Sequence, residues 1–366
     1  MKIAVLTSSR ADYGIYFPLL NALQNDKFFK VGLIVFGTHL SEKFGLTIKN
    51  IEQDGFNISH RINTCPNSDS PHAINSSIAK TISKFSKIWK ENKYDLIFAL
   101  GDRYEMFAAV TSSLPFNIPV AHIHGGETTL GSIDNAFRNS ITHMSKFHFT
   151  CCEPYKQRVI ELTGSNENVF NVGALSIENI RKLKLLSKKE IYDKYRIDLE
   201  KPTILVTFHP ETIDFEKNEE YITTLIKVLI NLNHYQIVIT MPNADTRGLI
   251  IKKHLVNYIS KNKNTIGIES FGYLGYLSCM KYCKFLLGNT SSGFIEASFF
   301  PKPVINIGKR QEGRVVTPNI INCEISYKEI LNAIKKVENG LPLSINTQIY
   351  GDGNTSKKII TIVKKI

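Results

Sequence analysis

YDLIFALGDRYEMFAAVTSSL, residues 94–114, contains in one stretch the unit from which this chain is built. Leu96 to Leu100 is a short apolar run without alternation, so a strand made from it is buried on both faces. The run stops at Gly101-Asp102, and EMFAAVTSSL then has the pattern of a helix. A strand of this kind belongs in a parallel sheet with helices on both sides.

The unit recurs on either side. Lys2 to Thr7 is a β-rich run that breaks into SSRADYG, and YFPLLNALQNDKFF follows with helical period. VGLIVFG is the next strand, TISKFSKIWKENK an amphipathic helix, IPVAHIHGG a strand, and IDNAFRNSITHMSKFHF a helix that leads into a further short strand. The pattern then restarts: TILVTFH, YQIVIT, NTIGIES, CKFLLGN and KPVINIG are strands, separated by helices around EEYITTLIKVLINLN, DTRGLIIKKHLVNYI and SGFIEASFF. The polar stretch ENIRKLKLLSKKEIYDKYRIDLEK separates the series. The expectation is an α/β protein of two doubly wound, Rossmann-like domains, 1–175 and 176–353, with the C-terminal helix 354–366 able to pack on either. Two such domains are expected to face a cleft at the carboxyl ends of their strands, where parallel sheets place ligands. SSRADYG, GDRYE, HIHGGE, HPE, GNTSSG and NIGKRQEGR all fall at strand ends of that kind.

Bulk properties narrow the classes. At 366 residues and 43% hydrophobic, the chain is long enough for two cores. Its 45 Lys plus Arg against 33 Asp plus Glu leave a net charge of +12, which favours an anionic partner. The lysines are scattered over amphipathic segments and no tight arginine cluster is present, which argues against nucleic acid. Six cysteines without CxxC spacing read as reduced core thiols. The N-terminus MKIAVLTSSRADYG lacks the form of a signal peptide, and no apolar run is long enough to cross a bilayer. The expected compartment is the cytoplasm, without a membrane.

The strand-end motifs carry the chemistry. GNTSSGFIEA places Asn289, Thr290, Ser291, Ser292 and Gly293 before a helix, where free N–H groups and hydroxyls bind an anion; an ordinary N-cap is the plainer account. It is no Walker motif. Glu296, one turn further on, can accept from a ribose hydroxyl or simply cap the helix. Arg10 follows the first strand with a fork suited to phosphate, and Arg310 with Arg314 forms a second cationic edge or a solvated basic loop. Asp102 ends an apolar strand and needs a partner, which Arg103 or a ligand could supply; it could orient a catalytic group or act as one, unless it merely caps the next helix. His122 and His124 point to one side if their strand continues, with Glu127 and Asp134 beyond paired glycines. A His, His, Glu metal set is conceivable, but the spacing suits a close-approach turn with acid/base groups better, so no metal is expected. His209 emerges from the first strand of the second series. Phe271, Tyr273 or Tyr276 in SFGYLGYL can wall a base, or merely pack.

Together TSSRADYGI, IEQDGFNI, LGDRYE, HIHGGE, ITHMSKFHF, FHPET, NADT, GNTSSGFIE and INIGKRQEGR resemble the hydrolysing UDP-N-acetylglucosamine 2-epimerases of bacterial sialic acid synthesis, over residues 1 to about 320. The resemblance implies the GT-B architecture, a C-terminal helix returning to the first domain, a homodimer or homotetramer, and no cofactor. It implies anti elimination of UDP across C1 and C2 to 2-acetamidoglucal, then addition of water to give N-acetylmannosamine. The family's catalytic positions match Asp102, Asp134 and His209, with Glu127 the remaining carboxylate of HIHGGE. Arg10, Ser291 and Ser292 would hold the diphosphate and Glu296 the ribose. Many relatives have HIEGGE, so His124 stands where they carry a suspected acid/base glutamate; the duty falls to Glu127 or to His124 itself. Three alternatives stay open: a UDP-N,N'-diacetylbacillosamine 2-epimerase of legionaminic acid synthesis, a GT-B glycosyltransferase, and a non-enzymatic nucleotide-binding module.

Overall fold

The structure, a computed structural model, describes residues 1–242, 248–269, 271–300, 302–340 and 349–366. The NADT motif (Asn243–Thr246), the start of DTRGLIIKKHLVNYI and Ser270 lie outside the described residues. The chain divides into two compact units: Met1–Glu127 with Asp134–Arg181 and Gln348–Ile366, and Thr128–Ile133 with Lys182–Thr347.

The first unit contains β1 (Lys2–Thr7), β2 (Lys30–Phe36), β3 (Ile58–Ile62), β4 (Leu96–Leu100), β5 (Val120–Ile123), β6 (Phe147–Thr150) and β7 (Val169–Asn171). They form one seven-stranded sheet in the order β3-β2-β1-β4-β5-β6-β7, and every neighbouring pair is parallel. Parallel strands need crossovers, and the helices that make them cover both faces. One face packs Ile3, Val5, Phe98 and Ile123 against Tyr16, Leu20 and Leu23 of helix Arg10–Gln24. The other packs Ala4, Leu6, Ile97 and Ala99 against Phe85, Trp89, Met106 and Val110. All five residues of β4 are buried, as its unalternating sequence requires.

The second unit repeats the plan with β8 (Thr203–Thr207), β9 (Gln236–Thr240), β10 (Thr265–Ile268), β11 (Phe285–Gly288), β12 (Val304–Ile307) and β13 (Ile320–Cys323), ordered β10-β9-β8-β11-β12-β13 and again parallel throughout. Both sheets reverse their winding beside the first strand of the series, between β1 and β4 and between β8 and β11. That switch point leaves a crevice at the carboxyl ends of the strands in each unit.

The boundaries differ from those expected. The first unit runs past residue 175 to Arg181, because helix Leu175–Lys182 is bonded into it: Asn179 Nδ2 donates to Gly14 O (2.6 Å), and Glu178 accepts from Ser356 N (2.6 Å). Ile359 and Val363 of the C-terminal helix Thr355–Val363 belong to the same core. No helix among the described residues is long and apolar enough to cross a membrane, and all six cysteines are free thiols.

Candidate active site

The loop after β1 is organised by Asp12, which the motif reading passed over. Its buried carboxylate accepts from Ser8 N (2.9 Å), Ser8 Oγ (2.8 Å) and Thr7 Oγ1 (2.6 Å), and Thr7 Oγ1 also meets His39 Nε2 (3.0 Å). Burial alone would raise the acid's pKa, but His39, Thr7 and Ser8 outweigh it and hold the carboxyl below its ordinary range. Arg10 opens the helix two residues before this carboxylate and is half-buried.

Asp102 follows β4, but its partner is not Arg103. Arg103 turns to Glu105 (Nε to Oε2, 3.1 Å), and Arg138 donates through Nη2 to Asp102 Oδ2. Arg103 rather than Asp102 stands at the N-cap of helix Tyr104–Ser113, so the capping account of Asp102 also fails. Arg138 lies on helix Asp134–Met144 and is almost wholly buried, and its Nη1 donates to Glu127 O (2.8 Å). One guanidinium therefore joins the loop after β4 to the loop after β5. The sequence signal available was Arg138 itself, an arginine one turn after Asp134 on the same helical face; nothing local announced that it would be buried.

The β5 loop also departs from expectation. The strand ends at Ile123, and His124 takes φ +67°, in the left-handed region, so His122 and His124 do not share a face. A non-glycine residue held there is uncommon and costs energy. Gly126, at φ +80°, passes so close to helix Glu153–Thr163 that a Cβ would stand 2.2 Å from Tyr155 O. His122 is a structural group: its Nε2 lies 2.8 Å from Gly101 O and its Nδ1 3.1 Å from Thr142 Oγ1. A carbonyl only accepts, so Nε2 carries the proton and Nδ1 receives the hydroxyl's. Burial, against the raising effect of the Gly101 carbonyl, pushes its pKa down to about 3.

His124 is different. Its Nδ1 bonds Glu127 Oε1, and Cys151 Sγ, at the end of β6, donates to the same oxygen (3.4 Å). Nε2 of His124 is buried and has no hydrogen-bond partner among the described residues. Burial, followed by Cys152 and Glu127, pushes the Cys151 thiol well above its ordinary pKa. His124, Glu127 and Cys151 also form the His/Cys/Glu group whose donor atoms lie within 4.8 Å of one another, in place of the His122, His124, Glu127 set weighed above.

In the second unit, Asn289 does not extend toward a ligand. Its Oδ1 accepts from His209 N (2.7 Å), its Nδ2 donates to His209 O (2.9 Å), and the residue is wholly buried. Asn289 thus braces the backbone of His209, which follows β8. Gly288 permits this, because a Cβ there would fall 1.9 Å from Thr207 O. The hydroxyl loop also differs from the expected helix start: Ser291–Gly293 is a single 3-10 turn and Glu296–Phe299 a four-residue helix that Glu296 begins. Thr290 caps Ser292 N, and Ser292 Oγ bonds Tyr276 OH (2.5 Å) and Thr290 Oγ1 (3.1 Å). With Gly293 in the first turn and hydroxyls that bond one another, a long helix is not supported. Ser291 is exposed, whereas Glu296 is buried.

The basic loop is no solvated edge, since Arg310 and Arg314 are 8% and 7% exposed. Arg314 Nε donates to Gln311 Oε1 (2.6 Å), and Gln311 Nε2 donates to Asn289 O (2.9 Å). Thr128–Ile133 joins this unit through Leu130 N to Glu312 O (3.0 Å) and Ile133 N to Thr212 Oγ1 (2.9 Å). Phe271 packs edge-on against Tyr195, at 4.7 Å between ring centroids, and is 5% exposed, so its ring serves packing.

Residues 21–364 match the family model described as UDP-N-acetylglucosamine 2-epimerase. The chain is 38% identical over 338 residues to the GDP/UDP-N,N'-diacetylbacillosamine 2-epimerase (hydrolyzing) of Campylobacter jejuni, covering 92% of this chain and 87% of that one. It is also 38% identical over 334 residues to the polysialic acid biosynthesis protein P7 of Escherichia coli, covering 91% and 85%. The crystal structure of UDP-GlcNAc 2-epimerase from Neisseria meningitidis bound to UDP-GlcNAc has the same fold, with TM-score 0.84 at 19% identity over the full length of both chains. The chain belongs to the UDP-N-acetylglucosamine 2-epimerase family and is a hydrolysing UDP-sugar 2-epimerase.

Proposed function

We propose that the substrate is UDP-N,N'-diacetylbacillosamine, the sugar that stood above as the alternative to UDP-N-acetylglucosamine. Of the two relatives at 38% identity, the one whose name states a substrate is named for this sugar. The reaction is anti elimination of UDP across C1 and C2, followed by addition of water to the glycal to give the free sugar inverted at C2. The observation that supports it most directly is Arg138, whose buried guanidinium holds Asp102 and the Glu127 backbone together at adjacent strand ends. Removing a weakly acidic C2 proton while a diphosphate leaves requires a base and positive charge that are both in place beforehand. Asp102, Asp134, His124 and Glu127 are the proton-handling set. Arg10, Ser291, Ser292 and Arg310 are assigned to the diphosphate, His209 to the leaving phosphates or to proton transfer, and Glu296 to the ribose. Six free thiols suit a reducing compartment, the cytoplasm, and the assembly we expect is a homodimer or homotetramer.

A second reading, UDP-N-acetylglucosamine converted to N-acetylmannosamine, is favoured by the relative named for polysialic acid biosynthesis. Incubation with each UDP-sugar in deuterated water separates them. UDP release and deuterium at C2 of the product are expected, faster with the diacetylbacillosamine nucleotide. A larger kcat/KM for UDP-N-acetylglucosamine would reverse the choice of sugar, and unlabelled product would remove the elimination step.

A further inference from the structure

The resemblance left the acid/base duty of the β5 loop open between His124 and Glu127. The geometry points to a division of labour in which His124 Nε2 exchanges the proton, Glu127 is a positioning carboxylate, and Cys151 is a second positioning residue that acts through Glu127.

Glu127 Oε1 meets His124 Nδ1 and the Cys151 thiol (3.4 Å). A carboxylate in such a position accepts from both. The Nδ1 proton then belongs to the bond with Glu127, and in the neutral ring Nε2 holds the lone pair. That atom is buried, yet no group among the described residues bonds it. A buried polar atom without a partner is costly unless something else is meant to meet it. The left-handed backbone at His124 (φ +67°) turns the ring out of the strand and into this arrangement. Both bonds fall on one oxygen of Glu127, which is 3% exposed and whose backbone carbonyl Arg138 fixes, so the carboxylate is held as a positioning group. Cys151 comes from a different strand, so its thiol ties the loop after β5 to the end of β6. A thiol is a weak donor that leaves the carboxylate basic enough to hold the Nδ1 proton.

The step rests on the elimination reading. Nε2 takes the proton from C2, the C–H electron pair becomes the C1=C2 double bond, and the C1–O bond breaks so that UDP leaves with its electrons. The resulting imidazolium is held by the Glu127 carboxylate.

Two measurements test it. Nitrogen-15 spectra of histidine-labelled protein report the tautomer without any turnover. His124 is expected as the Nδ1-protonated form, with its signals shifted in both Cys151→Ala and Glu127→Gln; an Nε2-protonated ring, or spectra unchanged in both variants, overturns the assignment. In turnover, His124→Gln is expected to lose at least about a hundredfold in kcat, the scale of a lost acid/base group. Cys151→Ala is expected to lose about tenfold in kcat with little change in KM and a displaced acidic limb of the pH profile, while Cys151→Ser, which still donates, recovers most of it. A Cys151→Ala enzyme with wild-type kcat and pH profile, or a His124→Gln enzyme within threefold of wild type, defeats the proposal. Melting temperatures of each variant separate loss of fold from loss of positioning. If the wild type releases UDP from neither sugar, the functional reading fails by itself, and the tautomer spectra still judge the geometry.

Discussion

The guanidinium of Arg138 donates to the carboxylate of Asp102 while its other arm holds the Glu127 carbonyl, so a single buried cation keeps two strand-end loops in register. Asp102 is 24% exposed at its side chain, open enough to meet a substrate and close enough to stay paired. Arg138→Lys keeps the charge and loses the fork. We expect kcat to fall on the order of a hundredfold with UDP affinity within a few-fold of wild type. Steady-state kinetics together with UDP titration calorimetry check this, and a matched loss of UDP binding would show that the loops collapse instead.

The backbone of His124 separates strain from chemistry. His124→Gly relieves the left-handed conformation, whereas His124→Ala retains it, and both lose the bond to Glu127. The glycine variant should be about 1 kcal/mol more stable than the alanine variant, and both should be nearly inactive. Urea unfolding of the pair decides it; equal midpoints would mean that the loop relaxes freely.

Asn289→Ala leaves the N–H and C=O of His209 without their partner. Buried groups left in that state cost about 1–3 kcal/mol each. A loss of at least about 2 kcal/mol in stability is expected, with KM raised because His209 and the hydroxyl loop lose their common anchor. Denaturant titration and initial rates measure the two effects; unchanged KM would confine Asn289 to folding.

Two neutral histidines make stability depend on pH. His148 faces His122 across the β5–β6 ladder, and burial lowers His148 to about 4, as it lowers His122 to about 3. The unfolded chain binds these protons near pH 6.5 and the folded chain does not, so stability is fully present above that pH. It is lost as pH falls from there toward the folded values. The melting temperature should drop steadily from pH 7 to pH 5, and His148→Leu should flatten the slope. An unaltered slope would assign the effect to other groups.

The alternating strands and helices were legible because strand and helix periods are local: β4, β5, β8, β9, β11 and β12 stand where apolar runs put them. Short or half-polar elements such as β3 (ISHRI) and β7 (VFN) were not legible, since their pairing depends on neighbours far away in sequence. The strand-end placement of Arg10, Asp102, Glu127, His209 and the GNTSSG loop follows from the same periodicity.

Partnership did not follow from it. Arg103 is adjacent to Asp102, yet the buried partner is Arg138, 36 positions away. Asn289 looked like a ligand donor until the fold set it against His209, 80 positions away. Cys151 read as an inert core thiol and instead touches Glu127, 24 positions away. The sequence by itself determined the two doubly wound sheets and which loops lie at their carboxyl ends, because hydrophobic period and turn chemistry act over a few residues. Only the tertiary structure decided which charge neutralises which and which nitrogen of His124 is left open, because a buried polar group takes whatever partner the packing of distant strands brings within hydrogen-bond reach.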